Sequence, residues 1–134
     1  MSLYVDSSAL LKRYVDEPDS DVADAFLRSE PSLLTARHTI VEVRRNLARL
    51  LSGRELSAAR SAFARDLEAL SIVELDEVTC EGAAAVAEIT GVRTLDALHL
   101  AAVQRVGGSA MGLLTFDLRQ AQAARGLGLT VVGS

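Results

Sequence analysis

The chain has 134 residues, of which 49% are hydrophobic and 4% aromatic, and a formal net charge of −4. This length supports one domain with a sizeable core, and the acidic balance excludes a protein that binds nucleic acid through its overall charge. Cys80 is the only cysteine, which excludes an internal disulfide and a multi-cysteine zinc site. No apolar run approaches the roughly 18 residues of a membrane span, so we expect a soluble, cytoplasmic protein without a membrane partner.

Short apolar segments and helical patterns alternate from the first residues. Leu3–Val5 has no polar alternation and is predicted as a buried strand. The next elements are predicted in this order: a helix capped by Ser7 or Ser8, a helix opened by Asp19 or Ser20, and a strand over Ser32–Thr35.

Two long amphipathic helices follow. The first carries Ile40, Val43 and Leu47 on one stripe and is predicted to end at Gly53. The second is predicted to begin at Leu56. Because only a few residues separate them, they should form an antiparallel hairpin.

The second half of the chain alternates strands and helices regularly. The elements are predicted in this order: strand Ile72–Leu75, helix Thr79 to about Ile89, helix Leu95–Val106 capped by Thr94, strand Met111–Thr115, helix Leu118–Arg125 and strand Leu129–Val132. Such alternation predicts a single α/β domain with a mostly parallel sheet, right-handed crossovers and helices on both faces.

Four acidic residues each stand beside an apolar run, at the end of a predicted strand or near the start of a predicted helix: Asp6, Glu42, Asp96 and Asp117. Singly, each has an ordinary explanation as a helix cap, a first-turn acid or a partner of a nearby arginine. If the first and fourth strands are neighbours where the strand order reverses, these acids face one crevice. Gathered carboxylates raise one another's pKa unless a cation neutralises them. The spacing therefore allows, without requiring, phosphodiester hydrolysis by Mg²⁺ and its bound water.

Four segments resemble PIN-domain ribonucleases and, more narrowly, the VapC toxins of bacterial toxin–antitoxin pairs. They are Val5-Asp6-Ser7-Ser8-Ala9-Leu10-Leu11, Glu42-Val43, Asp96-Ala97-Leu98-His99-Leu100-Ala101-Ala102 and Leu114-Thr115-Phe116-Asp117. The tail from Ala121 to Leu129 is also similar to the last helix and strand of that family, so the resemblance covers the whole chain.

The resemblance implies one PIN domain over residues 1–134, a parallel sheet of order 3-2-1-4-5, and endonucleolytic cleavage of RNA with Mg²⁺ or Mn²⁺. By position, the metal-binding and catalytic roles go to Asp6, Glu42, Asp96 and Asp117, with Ser8 and Thr115 as supporting polar residues. One ion is expected, because Leu118, Arg119 and Gln120 stand where some relatives carry a further acid. A VapB-like antitoxin covering the acids, a homodimer and a toxin–antitoxin hetero-oligomer are the expected partners and assemblies.

A local basic patch is the candidate contact for RNA phosphates. Its members are Lys12, Arg13, Arg37, Arg44, Arg45 and Arg49. An acidic pocket needs such help to attract a polyanion, although part of the arginine usage reflects composition, since Lys12 is the only lysine.

Three residues suggest a catalytic or metal-binding role that the sequence does not favour. His99 is three residues after Asp96, but a histidine in an Ala- and Leu-rich helix is more often packed, with one hydrogen bond, than a general base. His38 is similar, and two histidines so placed do not make a zinc site. Cys80 has no positive neighbour that would favour a reactive thiolate.

Three other functions compete with the nuclease. The main rival is a non-catalytic PIN-like module that binds RNA or protein and keeps the acids as caps. A phosphoacceptor receiver domain needs a late lysine, which the chain lacks. A haloacid-dehalogenase-like phosphatase needs a second Asp two residues after the first, and Ser8 stands there.

Overall fold

The computed structural model describes residues 2–134, so the Met1 end of the expected domain lies outside it. Five strands pair in parallel: β1 (Leu3–Val5), β2 (Leu33–Ala36), β3 (Ser71–Val73), β4 (Gly112–Leu114) and β5 (Thr130–Val132). Their order across the sheet is β3-β2-β1-β4-β5, which confirms the expected topology. Each strand lies within two residues of its predicted bounds.

Seven α-helices connect and cover the strands within residues 2–134. They are α1 (Ser7–Leu11), α2 (Ser20–Ser29), α3 (Arg37–Leu50), α4 (Gly53–Leu67), α5 (Glu77–Thr90), α6 (Thr94–Val106) and α7 (Leu118–Gly126). A short 3₁₀ turn, Gly108–Ala110, precedes β4. In this part of the chain, no helix has both the length and the apolar composition to cross a lipid bilayer.

The centre of the sheet is β1, where the strand order reverses. On one side Leu3 pairs with Leu33 of β2, and on the other Val5 is level with Leu114 of β4. The N–H of Asp6 donates to the carbonyl of Leu114 at 3.2 Å, which holds the ends of β1 and β4 together. In open α/β sheets this reversal creates a crevice at the carboxyl ends of the strands. Residues after β1 and β4 therefore lie beside one crevice.

Successive residues of the central strands face two separate cores. Tyr4 and Leu113 pack into a cluster with residues of α5 and α6, whereas Val5 and Leu114 pack against α1, α3 and α4. All four side chains are fully buried. Because side chains alternate across a strand and both faces are covered, these short strands are apolar throughout.

The predicted boundary between the two long helices is wrong. Helix α3 ends at Leu50, and Gly53 begins α4 rather than ending α3. Gly53 has φ +57°, a left-handed conformation that glycine adopts without steric cost. The glycine therefore marks the turn, but one position later in the connection than its usual place after a helix end.

Several predicted helix caps are also wrong. Helix α1 is capped by Asp6, whose carboxylate accepts from the N–H of Ala9 at 3.0 Å, and not by either serine. Thr94 is the first residue of α6, and no side chain caps that helix. Helix α5 begins two residues before the predicted Thr79, because Asp76 accepts from the Thr79 N–H at 2.9 Å. Asp is as good a cap as Ser or Thr, so propensity alone did not choose between neighbouring candidates.

Helix α3 provides a direct test of the core that contains Val5 and Leu114. Leu47 is fully buried beside Val43 and Phe63, whereas Leu50 in the same helix is 43% exposed. We expect Leu47→Ala to lower the free energy of unfolding by about 2–5 kcal/mol, because it removes buried apolar contacts and leaves a cavity. Leu50→Ala should cost less than about 1 kcal/mol. Urea unfolding measures both, and equal losses would contradict the assigned packing.

Candidate active site

The carboxylate of Asp6 is buried and fully hydrogen-bonded. Only 2% of the residue is exposed. Its Oδ1 accepts from Ser8 Oγ at 2.7 Å and from the N–H of Ala9 at 3.0 Å, and its Oδ2 accepts from Thr115 Oγ1 and, at 3.3 Å, from Gln120 Nε2. A carboxylate has about four acceptor positions, so these donors occupy all of them.

The two hydroxyls beside Asp6 have their directions set by backbone donors. Ser8 Oγ accepts from the N–H of Phe116 at 3.1 Å, and Thr115 Oγ1 accepts from the N–H of Asp117 at 3.1 Å. Each hydroxyl therefore uses its own proton to donate to Asp6. These contacts join the start of α1 to the loop after β4, and both residues lie where the sequence predicts supporting groups.

Asp6 has no cationic side chain paired with it within residues 2–134. Burial raises the pKa of its carboxyl group, while the charge of His99 and the hydrogen bonds from Thr115 and Ser8 lower it, and the net shift is upward. A buried carboxylate without a counter-charge destabilises the folded state. A cation at this position would relieve that cost.

Glu42, in the second turn of α3, is held by a histidine that is itself held by a tyrosine. His99 Nε2 lies 2.7 Å from Glu42 Oε1, and His99 Nδ1 lies 2.7 Å from the Tyr4 hydroxyl. Burial, followed by the charge of Asp6, raises the pKa of Tyr4 well above its usual value, so the phenol stays protonated and can donate to Nδ1. Nε2 carries the proton that it donates to Glu42 whether His99 is neutral, with Tyr4 donating to Nδ1, or charged, with Nδ1 donating to Tyr4.

This chain of contacts offsets the burial of Glu42. Burial alone raises the pKa of the Glu42 carboxyl, but the hydrogen bond and charge of His99, with His38 adding to them, bring it below the usual value. The pKa of His38 is lowered to about 4, first by burial and then by the charge of His99. At neutral pH, Glu42 is therefore an ionised carboxylate beside an uncharged His38.

The charge of Asp117 acts on Asp96. Burial, and next the negative charge of Asp117, raise the pKa of Asp96; Glu42 adds to the increase, while His99 and Arg93 oppose it. Like charges that raise a carboxyl pKa are a recognised feature of functional sites.

Asp117 also caps α7. Its Oδ1 accepts from the N–H groups of Arg119 at 2.9 Å and Gln120 at 3.2 Å. The reciprocal half of a capping box is absent, because the Gln120 side chain reaches Asp6 instead. Asp6 and Asp117 thus act as caps at the carboxyl ends of β1 and β4.

A crevice of about 410 Å³ opens beside Glu42 and Asp96. Its walls include Glu42, Arg93, Thr94, Leu95 and Asp96. A second cavity of about 510 Å³ shares Arg93 and Asp96 and adds Arg119. Solvent can therefore reach Glu42 and Asp96, whereas Asp6 is almost fully buried and lines neither cavity.

The oxygen-rich donor set fits a hard divalent cation. Mg²⁺ or Mn²⁺ would neutralise the buried Asp6 carboxylate and that of Asp96, whose pKa is raised by burial and by the charge of Asp117. The four carboxylates do not, however, supply three ligand atoms within 4.8 Å of one another. Within residues 2–134, His38, Glu42 and His99 are the only metal-ligating group that compact.

Sequence reasoning missed Tyr4, Gln120 and the roles of both histidines. His99 is packed as expected, but it makes two hydrogen bonds rather than one and contacts Glu42. The available signal was its spacing three residues after Asp96, which places both on neighbouring turns of α6. Glu42 forms no ion pair with Arg45 in the described chain.

The predicted basic patch divides into paired and unpaired members. Lys12 lies 3.6 Å from Glu17, Arg13 lies 3.2 Å from Asp66, and Arg37 binds Glu74 through two nitrogens. Arg44, Arg45 and Arg49 form no ion pair within residues 2–134. Arg45 and Arg49 follow Glu42 by three and seven residues, which places them on the same stripe of α3.

Comparisons with known proteins agree on one family. The family model for the PIN domain matches residues 3–126. The chain is 36% identical over 131 residues to Ribonuclease VapC46 of Mycobacterium tuberculosis, covering 98% of this chain and 96% of that protein. It is 37% identical over 134 residues to Ribonuclease VapC35 of the same species, covering 97% of this chain and 95% of that protein.

Two solved structures have the same fold. FitAcB from Neisseria gonorrhoeae has a TM-score of 0.77 at 19% identity, with 99% of this chain and 97% of that chain covered. Mycobacterium tuberculosis VapC20, described as a sarcin-ricin loop cleaving toxin, has a TM-score of 0.75 at 20% identity, with 90% and 94% covered.

Between pH 4 and pH 7, the free energy of unfolding of metal-free Asp6→Asn is expected to rise relative to that of the wild type. Because the folded pKa of Asp6 is raised, the wild type gains stability when this group is protonated and loses it as pH rises through the folded pKa. The variant lacks this ionisation, so the difference between the two free energies should change steadily over this range. Urea unfolding in EDTA at several pH values measures it.

Asp76→Asn is the matched control, because Asp76 is also a helix cap and Asn caps equally well. Its pKa is lowered, first by the N–H of Thr79, so its contribution to stability is present above the usual carboxyl pKa and fades as pH falls. The two variants should differ from wild type with opposite pH slopes. Slopes of the same sign would contradict the assigned burial of Asp6.

Proposed function

The chain belongs to the PIN domain family, among the VapC ribonucleases, and on that premise we propose that it is a Mg²⁺-dependent endoribonuclease acting in the cytoplasm. It is the toxin of a type II toxin–antitoxin pair, and Mn²⁺ substitutes for Mg²⁺. The observation that carries this proposal is the buried Asp6 carboxylate, which lies at the reversal point of the sheet and has no cationic side-chain partner within residues 2–134.

We assign the ion to Asp6, Glu42, Asp96 and Asp117. When bound, the ion lowers the pKa of a coordinated water and neutralises charge on the scissile phosphate. Of the four donors to Asp6, Gln120 is the most distant at 3.3 Å, so its withdrawal is the easiest way to free a lone pair on Oδ2. Ser8 and Thr115 then keep the carboxylate oriented.

A single ion remains the expectation. Leu118 and Arg119 are exposed, and Gln120 is a neutral amide that already contacts Asp6. None of these three residues adds a carboxylate to the crevice. Glu42, held by His99, and Asp96, exposed to the crevice, are placed to orient water around the ion.

RNA phosphates are proposed to contact Arg45 and Arg49. Both are exposed and continue the stripe of α3 that carries Glu42. Three other members of the basic patch are less available to RNA because each already forms an ion pair. A phosphate must compete with Glu17 for Lys12, with Asp66 for Arg13 and with Glu74 for Arg37. Arg44 points to a different face, where it lines a groove with Phe63.

The partner proposed for that groove is a VapB-like antitoxin. Ile40, Phe63, Ala64 and Leu67 line a cavity of about 280 Å³ between α3 and α4, together with two arginines, Arg44 and Arg60. An amphipathic segment with acidic flanks fits such a surface. By contrast, Ala9 and Leu10 of α1 are core, so the stripe of the first helix offers little surface. A homodimer and a toxin–antitoxin hetero-oligomer complete the proposal.

The rival function is a non-catalytic module that binds RNA or protein. It is favoured by the fact that Asp6 and Asp117 do cap α1 and α7. A cap needs no burial, however, and the exposed Asp76 performs the same task in α5.

Asp6→Asn is expected to reduce RNA cleavage by at least about 100-fold, because it removes a ligand charge while keeping the cap. The measurement is Mg²⁺-dependent cleavage of a set of structured RNAs by the purified protein. Asp76→Asn should cleave at the wild-type rate, and EDTA should stop the wild type. Cleavage by Asp6→Asn at the wild-type rate, or cleavage in EDTA, would remove the nuclease proposal in favour of the binding module.

Arg45→Glu is expected to raise KM for RNA by about fivefold to tenfold, because it reverses a charge next to the path of a polyanion. Mn²⁺ affinity, measured by calorimetry without RNA, should change much less. Arg44→Glu, one residue away on a different face, is the control and should leave KM unchanged. Equal effects of the two variants on KM, or equal losses of RNA cleavage and metal binding, would contradict the assigned RNA path.

A further inference from the structure

The most compact group of metal ligands in residues 2–134 combines two imidazoles with one carboxylate. His99 Nε2 and His38 Nε2 lie 2.7 Å and 3.7 Å from the same atom, Glu42 Oε1. The two imidazole rings have centroids 4.1 Å apart. Two nitrogen donors from different helices therefore converge on one oxygen donor.

The spacing of these atoms suits a tetrahedral ion. Bonds of 2.0–2.1 Å at tetrahedral angles place neighbouring ligand atoms about 3.3 Å apart. The observed separations of 2.7 Å and 3.7 Å bracket this value. A small rotation of the Glu42 side chain, which is only 17% exposed, would equalise them.

Both histidines are fixed and shielded before any ion arrives. His38 is 7% exposed and His99 is 1% exposed. The Tyr4 hydroxyl lies 2.7 Å from His99 Nδ1, and a phenol can accept from that nitrogen as well as donate to it. Such an outer hydrogen bond orients metal-binding histidines and raises their basicity. His38 precedes Glu42 by four residues, so both project from one face of α3.

Zinc binding through His38 Nε2 exchanges a hydrogen bond for a metal bond, because this nitrogen lies 3.1 Å from the Leu95 carbonyl in the metal-free chain. The crevice of about 410 Å³ reaches Glu42, which provides an entry path and room for a water as fourth ligand. Two imidazoles and a carboxylate with an open position form the donor set of many zinc sites, whereas Mg²⁺ prefers oxygen alone.

We propose that His38, Glu42 and His99 form a zinc site that is separate from the Mg²⁺ site and inhibits it. The two sites share Glu42, so zinc withdraws this carboxylate from Asp6, Asp96 and Asp117. The inhibitory part rests on the proposed nuclease function, but zinc binding itself does not.

Zinc binding is measured by calorimetry with ZnCl₂ and the metal-free full chain. The wild type should bind one zinc ion per chain. His38→Gln should weaken binding by about tenfold or more, since it removes one ligand while its amide can still donate to the Leu95 carbonyl that lies 3.1 Å from His38 Nε2. Arg44→Gln, on another face of the same helix, is the control. Equal zinc affinity of wild type and His38→Gln would overturn the proposal.

A second measurement addresses geometry. Co²⁺ substituted into the wild type should give the intense visible absorption of a tetrahedral site, and His38→Gln should lose it. Weak absorption typical of octahedral Co²⁺ in the wild type would contradict a histidine site. Thermal unfolding of each variant shows that loss of binding is not loss of folding.

Inhibition is measured as the ratio of RNA cleavage rates with and without zinc at fixed Mg²⁺, taken within each variant. Zinc should reduce this ratio in the wild type at concentrations that His38→Gln tolerates. An unchanged ratio in a wild type that binds zinc would overturn the inhibitory role. His38-dependent zinc binding by a chain that cleaves no RNA would refute the proposed nuclease and leave the zinc site standing.

Discussion

The structure of the crevice depends on one interaction, the capture of the Asp6 carboxylate by donors from three segments. Ser8 and Ala9 come from α1, Thr115 follows β4, and Gln120 lies in α7. The donors from the last two segments are more than one hundred residues away in sequence, and only the pairing of β1 with β4 brings them within reach. Because these hydrogen bonds solvate the buried charge without neutralising it, the pKa of Asp6 stays raised, and the proposed cation would supply the missing positive charge.

Glu42 is held in a different electrostatic state from Asp6 and Asp96. Burial raises the pKa of Asp6 and Asp96, whereas the contact with His99 brings the pKa of Glu42 below its usual value. The alternation of side chains in β1 explains the difference: Tyr4 enters the core that contains α6 and supports His99, while Val5 enters the opposite core. One central strand thus positions both Asp6 at its end and, through Tyr4 and His99, the orientation of Glu42.

Secondary structure that depends on a local pattern of residues could be predicted from the sequence. Side-chain contacts between residues far apart in the sequence could not. Apolar segments separated by helical patterns predicted every strand to within two residues, and the family resemblance supplied the strand order. Helix starts were harder, since Ser7 and Thr79 are caps as plausible as Asp6 and Asp76, and α6 begins at Thr94 without any side-chain cap. The contacts of His99 with Tyr4 and of Gln120 with Asp6 span 95 and 114 residues, so no local pattern could have predicted them.

Gln120 illustrates how one residue can have two reasonable interpretations. Its position three residues after Asp117 predicts a capping box, and the backbone half of that prediction holds. The Gln120 side chain instead donates a hydrogen bond to Asp6, because the buried negative charge attracts it more strongly. Asp6 likewise makes two kinds of contact: Oδ1 caps α1, and Oδ2 accepts hydrogen bonds from Thr115 and Gln120.

Crystals grown with Mn²⁺, with diffraction recorded at the manganese absorption edge, would test whether Asp6 and Asp96 bind a divalent cation. We predict an anomalous peak within about 2.3 Å of carboxylate oxygens of Asp6 or Asp96, with the remaining acids bound directly or through water. We also predict that Gln120 moves away from Asp6 Oδ2. A saturated crystal with no manganese at Asp6 or Asp96, and with all four hydrogen bonds to Asp6 unchanged, would contradict both predictions.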